Sequence, residues 1–99
     1  MARIAEHIYT EQGDIARIEA TIMQLSDGDH VELLLADGEL LRGTVAMRPS
    51  VQVFLDGDGH EGINAMVRLE QPALELPEAA GWRDVWIDAI REVRHLNPP

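Results

Sequence analysis

The residues of this sequence best suited to chemistry with a charged partner are arginines: all eight basic side chains are Arg and none is Lys. Five of them, Arg42, Arg48, Arg68, Arg91 and Arg94, are candidate contacts to nucleic acid or to a protein partner, because a guanidinium presents a planar fork of donors that matches phosphate and carboxylate. Eighteen Asp and Glu oppose them, and the net charge of -10 repels phosphate backbones on average. Nucleic-acid binding therefore requires the arginines to be concentrated locally. Five guanidinium groups on one face would favour it; pairing of each with a neighbouring carboxylate would count against it. The absence of Lys itself reads as base-composition bias.

Other chemistry has less material. Asp56, Asp58, His60 and Glu61 lie in the run DGDGHEG, whose alternating oxygen donors resemble the opening of a calcium loop. Counted from Asp56, the sixth place, where such a loop needs Gly, is Glu61, and the twelfth, where it needs a bidentate Glu, is Val67. A solvated acidic hairpin loop is the better reading, and neither a metal site nor a cofactor is assigned. His7, His30, His60 and His95 show no ligand spacing. Ser26 and Ser50 are the only serines, neither sits in a Gly-x-Ser-x-Gly elbow, and cysteine is absent; the sequence reads as a non-enzyme. Trp82 and Trp86 read as core or interface aromatics.

These side chains must be positioned by a small β framework with one helix ahead of it. Two apolar runs flank Asp37-Gly38 in VELLLADGELLRGTVAMR, which predicts an antiparallel hairpin closed by a type I′ turn. Val31, Leu33 and Leu35 share one face before the turn; Leu41, Val45 and Met47 share it after. Gly43 falls at an inward position and predicts a bend. Ile15, Ile18, Ile22 and Leu25 form one apolar stripe, predicting a helix over 11–26 with Thr10 as N-cap and Ser26-Asp27-Gly28 as stop. Strands are predicted at 30–36, 39–48, 51–56, 63–70, 83–88 and 90–95, with a break at Arg48-Pro49-Ser50 and a variable loop over 71–81. The runs 51–55 and 63–70 are expected to pair as a second hairpin extending the sheet, with Ile63, Ala65, Val67 and Leu69 on one face. From Trp82 to Leu96, the spacing of Ile87, Ile90, Val93 and Leu96 fits a helical face as well as a strand pair broken at Asp88-Ala89, and periodicity leaves both open.

Ninety-nine residues suit a single domain over 1–99 with one modest core. The first ten carry Arg3, Glu6 and His7 without an apolar h-region, and no apolar run approaches the length of a membrane span; a soluble, cytoplasmic protein with no membrane partner is expected.

The order of elements and two short motifs resemble Sm-like proteins. DGELLRGTV is similar to the first Sm motif, in which a turn Gly, here Gly38, precedes a strand Gly, here Gly43, and then an apolar position, here Val45. WIDAIREV is similar to the end of the second motif, with Ile90 and Val93 as its apolar pair. Over nearly its full length, including Arg48-Pro49-Ser50 and EGINAMVRLE, the chain resembles a small uncharacterised bacterial family described as a variant of the Sm-like fold. The resemblance implies a mainly β domain with one N-terminal α-helix, a small curled antiparallel sheet or open barrel. It also implies a homo-oligomer or a protein partner. Where RNA-binding Sm proteins carry an Asp, a base-stacking aromatic and a base-reading Asn, this chain has Arg48, Ser50 and Gln52. A second placement puts the Asn at Asn64 and the aromatic at Gly62. The Arg-Gly of the second motif becomes Trp86-Ile87, and Ile87-Asp88 stand where the bacterial RNA chaperones have Lys-His. An interaction or self-assembly module is thus expected first, and RNA binding by an oligomer through the arginines and Gln52 second.

Overall fold

The computed structural model describes residues 3–71 and 81–96. Its elements run α1 (Gln12–Ile22), β1 (His30–Leu35), β2 (Leu40–Val45), β3 (Gln52–Leu55), β4 (Glu61–Asn64), β5 (Met66–Gln71), β6 (Gly81–Trp86), one 3-10 turn (Ile87–Ala89) and β7 (Ile90–His95). The fold is mainly β with one N-terminal helix. Five strands form an antiparallel sheet in the order β6-β5-β2-β1-β7, while β3 and β4 form a separate two-stranded sheet. The two-stranded piece does not extend the larger sheet as expected. The stretch 63–70 is instead divided at Ala65, so that β4 belongs to one sheet and β5 to the other.

The hairpin between β1 and β2 forms at the expected residues but with a different turn. A type I′ turn needs positive φ at both central residues, and among the described residues only glycines have it. Here the loop is Ala36-Asp37-Gly38: Gly38 N donates to Leu35 O at 2.9 Å, Leu35 N to Glu39 O at 2.9 Å, and Gly38 has φ 91°. This is the three-residue hairpin whose glycine takes the left-handed position. The β3–β4 turn repeats it at Asp56 to His60, with Gly59 N donating to Asp56 O at 3.0 Å, Asp56 N to His60 O at 2.9 Å, and φ 83° at Gly59.

The alternation within the strands sends Val31, Leu33, Leu35, Leu41 and Val45 into the core, with Ala65, Val67 and Leu69 from the bent β4–β5 segment. Met47 does not join them; it lies beyond the end of β2 and is 70% exposed. The helix is shorter than 11–26. It begins without a side-chain cap at Glu11 rather than on Thr10, and ends at Ile22, so that Leu25 reaches the core from beyond the helix. Over 82–96 two strands form rather than a helix, but they do not pair with each other: β6 lies on β5 and β7 on β1, at opposite ends of the sheet, with β7 bulged opposite Leu34 and Leu35. Most of the predicted variable loop, 72–80, lies outside the described residues.

At Gly43, β5 crosses β2 so closely that a Cβ would sit 2.6 Å from Glu70 O and 2.7 Å from Leu69 Cγ. The missing side chain is thus what lets the two strands close over the core.

Candidate interaction site

The six candidate contact residues occupy different surroundings. Glu32 lies on the outward face of β1, and the ladder places it opposite Arg42 of β2 and Arg94 of β7. Arg42 Nε donates to Glu32 Oε2 at 2.7 Å, and Arg94 Nη1 lies 3.6 Å from Glu32 Oε1 and Nη2 3.9 Å from Glu92. Arg68 of β5 faces Asp84 of β6, donating to both of its oxygens at 3.0 and 3.2 Å while its guanidinium lies 4.8 Å from the centroid of Trp82. The bonds from Arg68 hold the Asp84 carboxyl below the usual carboxylate range and keep Arg68 still more firmly protonated.

Arg48 serves the helix instead. Its guanidinium donates to Ser26 Oγ at 2.7 Å, to Leu25 O at 3.3 Å and to Met23 O at 3.4 Å, so a cation meets the carbonyls that follow α1. Gln52 pairs with Asn64 across the β3–β4 ladder, and its Oε1 accepts from Arg3 at 2.7 Å. Arg91 lies at the β7 bulge, in a hollow shared with Tyr9, Asp14, Arg17 and Asp88. Three of the five arginines are therefore paired with carboxylates and one with the carbonyls at the end of the helix, while Arg48, Arg91 and Arg94 line three different hollows.

Asp56, Asp58 and His60 do converge, with one ligand atom of each within 4.8 Å of the others. The turn accounts for this convergence. Asp56 Oδ1 accepts from the amides of Asp58 at 2.9 Å and His60 at 2.8 Å, and these bonds, the His60 amide first, hold its carboxyl below the usual range.

A second constellation is invisible in the sequence. Residues 3–9 run from the outer edge of β3 to the outer edge of β4: Leu55 N donates to Arg3 O and Ala5 N to Leu55 O, both at 2.8 Å, then Tyr9 N to Ile63 O at 2.9 Å and Ile63 N to Tyr9 O at 2.8 Å. Between these anchors Ile8 lies on Gly62, where a Cβ would sit 2.6 Å from Ile8 Cδ1 and 2.9 Å from Tyr9 O. Asn64, only 1% exposed, donates to His7 O at 2.9 Å, and its Oδ1 accepts from Ala65 N. The Tyr9 hydroxyl donates to Asp88 Oδ2 at 2.8 Å, and His7 Nδ1 lies 3.8 Å from the same oxygen. Burial first, then Asp88, raises the Tyr9 pKa above its ordinary value. Beneath the segment Phe54 meets Trp86 edge to face at 5.1 Å. Sequence reasoning missed His7, Ile8, Tyr9 and Asp88 because the segment is held mostly through its backbone; the one usable signal was Gly62, a glycine inside a strand.

No curated protein matches the chain. The crystal structure of XC5848 from Xanthomonas campestris, described as adopting a novel variant of the Sm-like motif, superimposes with a TM-score of 0.87 at 32% identity, covering 98% of this chain and 100% of that one. This similarity assigns the Sm-like fold on which the resemblance of the sequence rested. Residues 2–96 match the domain of unknown function DUF3247, and the chain belongs to that family, as a mainly β protein with the variant Sm-like fold.

Proposed function

We propose that this chain is a non-catalytic, cytoplasmic interaction module that works by self-association or by binding a protein partner through the edges of its five-stranded sheet. The observation that carries the reading is the strand order: β6 and β7, six residues each, end the sheet and, among the described residues, pair on one side only. Such edges present unpaired donors and acceptors to another chain. Trp82, 64% exposed on β6, adds apolar surface of the kind interfaces use. The Ser26 hydroxyl accepts from the Arg48 guanidinium, a cation that cannot serve as its base.

Light scattering tests the reading. The chain is expected as a dimer or larger species at high micromolar concentration, and Trp82→Lys, which places a charge on the edge, is expected to shift it toward the 11.0 kDa monomer. A parent that remains a single 11.0 kDa species overturns the proposal. The RNA reading is separated by fluorescence anisotropy. Binding of oligouridine no tighter than roughly 10 µM at physiological salt is expected, since four of the five guanidinium groups already have partners within the chain and the net charge is acidic. Submicromolar binding that weakens steeply with salt and is lost in Arg48→Glu would promote RNA.

A further inference from the structure

We propose that residues 3–9 are an exchangeable strap, and that the platform beneath them, formed by β3, β4 and Asp88, accepts the same segment from a second copy of the chain in a reciprocal dimer. The proposal deepens the self-association reading by naming a partner and a surface apart from the sheet edges.

In its hydrogen bonds and ion pairs the strap is a separable unit, while its Tyr9 ring packs against the main core. Among the described residues, each hydrogen bond and ion pair of residues 3–9 goes to Gln52, Leu55, Ile63, Asn64 or Asp88, and none goes to α1 or to β1 and β2. A strap from another copy would therefore recover every one of these bonds. Its fit is specified by shape as well as by backbone. Ala5 is 1% exposed against the β3 edge, Ile8 occupies the notch at Gly62, and Asn64 fixes the chain direction by donating to His7 O. Ile4, at 73% exposed, contributes little to holding the strap closed.

The connection to the rest of the chain favours release. Only Thr10 and Glu11 separate Tyr9 from α1, and Glu11 is extended at φ -79° and ψ 139° without a side-chain cap bond. Redirecting the chain at Thr10 sacrifices no capping interaction, and Ile15 N can keep its 3.0 Å bond to Glu11 O. Exchange of an identical element preserves the contacts of the closed state, and short hinges promote it. Concentration then sets the fraction exchanged.

Cross-linking in the full chain tests this, aided by the absence of cysteine. Ile4 bridges Leu55, so Ile4→Cys and Leu55→Cys, as two separate variants refolded together at high concentration and oxidised, are expected to give the mixed disulfide in excess over its statistical share. The double variant is expected to run on a denaturing, non-reducing gel at twice the 11.0 kDa mass, in a proportion that falls on dilution. A second pair, Arg3→Cys with Gln52→Cys, both exposed and joined by a short bis-maleimide, covers a failure of the half-buried Leu55 variant to fold. Closure of both pairs within single chains at every concentration overturns the exchange. If light scattering still finds an assembly, the edge proposal survives alone; cross-linked dimers that persist in Trp82→Lys establish exchange independently of the edges.

Discussion

Gly43 in the five-stranded sheet and Gly62 in the two-stranded one do the same thing for different kinds of neighbour. Each removes a side chain where another segment passes over its strand. At Gly43 the neighbour is a strand of the same sheet: Glu70 O at 2.6 Å from the would-be Cβ, and Leu69, fully buried. At Gly62 the nearest atom, also at 2.6 Å, is the tip of the Ile8 side chain, with Tyr9 O at 2.9 Å. A backbone held in a ladder cannot yield without breaking the ladder, whereas an isoleucine tip can rotate and a seven-residue strap can lift. The first crossing closes the core; the second is a latch. Two glycines with the same local clash thus carry different consequences, because what lies above them differs in its own attachments.

Substitution at the two positions should separate closure from latch. Gly43→Val is expected to have the largest effect, a destabilisation of about 3 kcal/mol, since overpacking meets β5 backbone and a fully buried Leu. Denaturant midpoints measure it, and a midpoint equal to the parent would mean that β5 does not cross there. Gly62→Val is expected to cost about 1 kcal/mol, because the strap can move aside. Its signature is local: amide exchange at Ala5 and Tyr9 should accelerate while Leu33 in β1 stays protected. Equal acceleration at all three would remove the distinction between the regions.

The closure was legible in the sequence and the latch was not. Gly43 stood out because the alternation of Leu41 and Val45 demands an inward residue between them. The strap offered no such pattern: its partners are carbonyls and amides of Leu55 and Ile63, which any sequence supplies. The Asp37-Gly38 pair marks the place of the turn but not its type, because the pair is compatible with two loop lengths and the Leu35 N bond to Glu39 O distinguishes them. In the sequence Arg48 and Gln52 read as possible contacts to a nucleic acid or a partner. Their partners, the carbonyls after α1 and the Arg3 guanidinium, come from chain segments more than twenty residues away and have no sequence signature.

Arg48 gives a smaller test at the end of α1 that lies further along the chain from the strap. Arg48→Ala removes the cation at the carbonyls of Met23 and Leu25, with an expected loss of about 1 kcal/mol. Far-ultraviolet circular dichroism during melting should show α1 lost earlier, with Ala5 and Tyr9 exchange unchanged before the transition. Faster strap exchange in this variant would show that the helix end and the latch are coupled.

Titration gives the smallest effect and the sharpest discrimination. Hydrogen bonds from Arg83 and Arg68 hold Glu39 and Asp84 below the carboxylate range, as the His60 amide does Asp56. The stability these groups contribute is present above their unfolded values and is lost as pH falls through the lower folded ones, so acid weakens both sheets. Alkali is selective. The Tyr9 pKa is raised above 10.0 by burial and then by Asp88, so its contribution is full below the unfolded value and is lost as pH rises through the higher folded one. Tyr9 is the only tyrosine, and the near-ultraviolet absorbance of tyrosinate therefore reports on the strap alone. The parent should titrate above the ordinary value; Asp88→Asn should fall part of the way back, since burial remains; Gly62→Val should fall furthest, because releasing the strap removes both causes. A Gly62→Val midpoint equal to that of the parent would show that Tyr9 stays in place without Ile8 over Gly62, and the latch would then have to be located at Asp88.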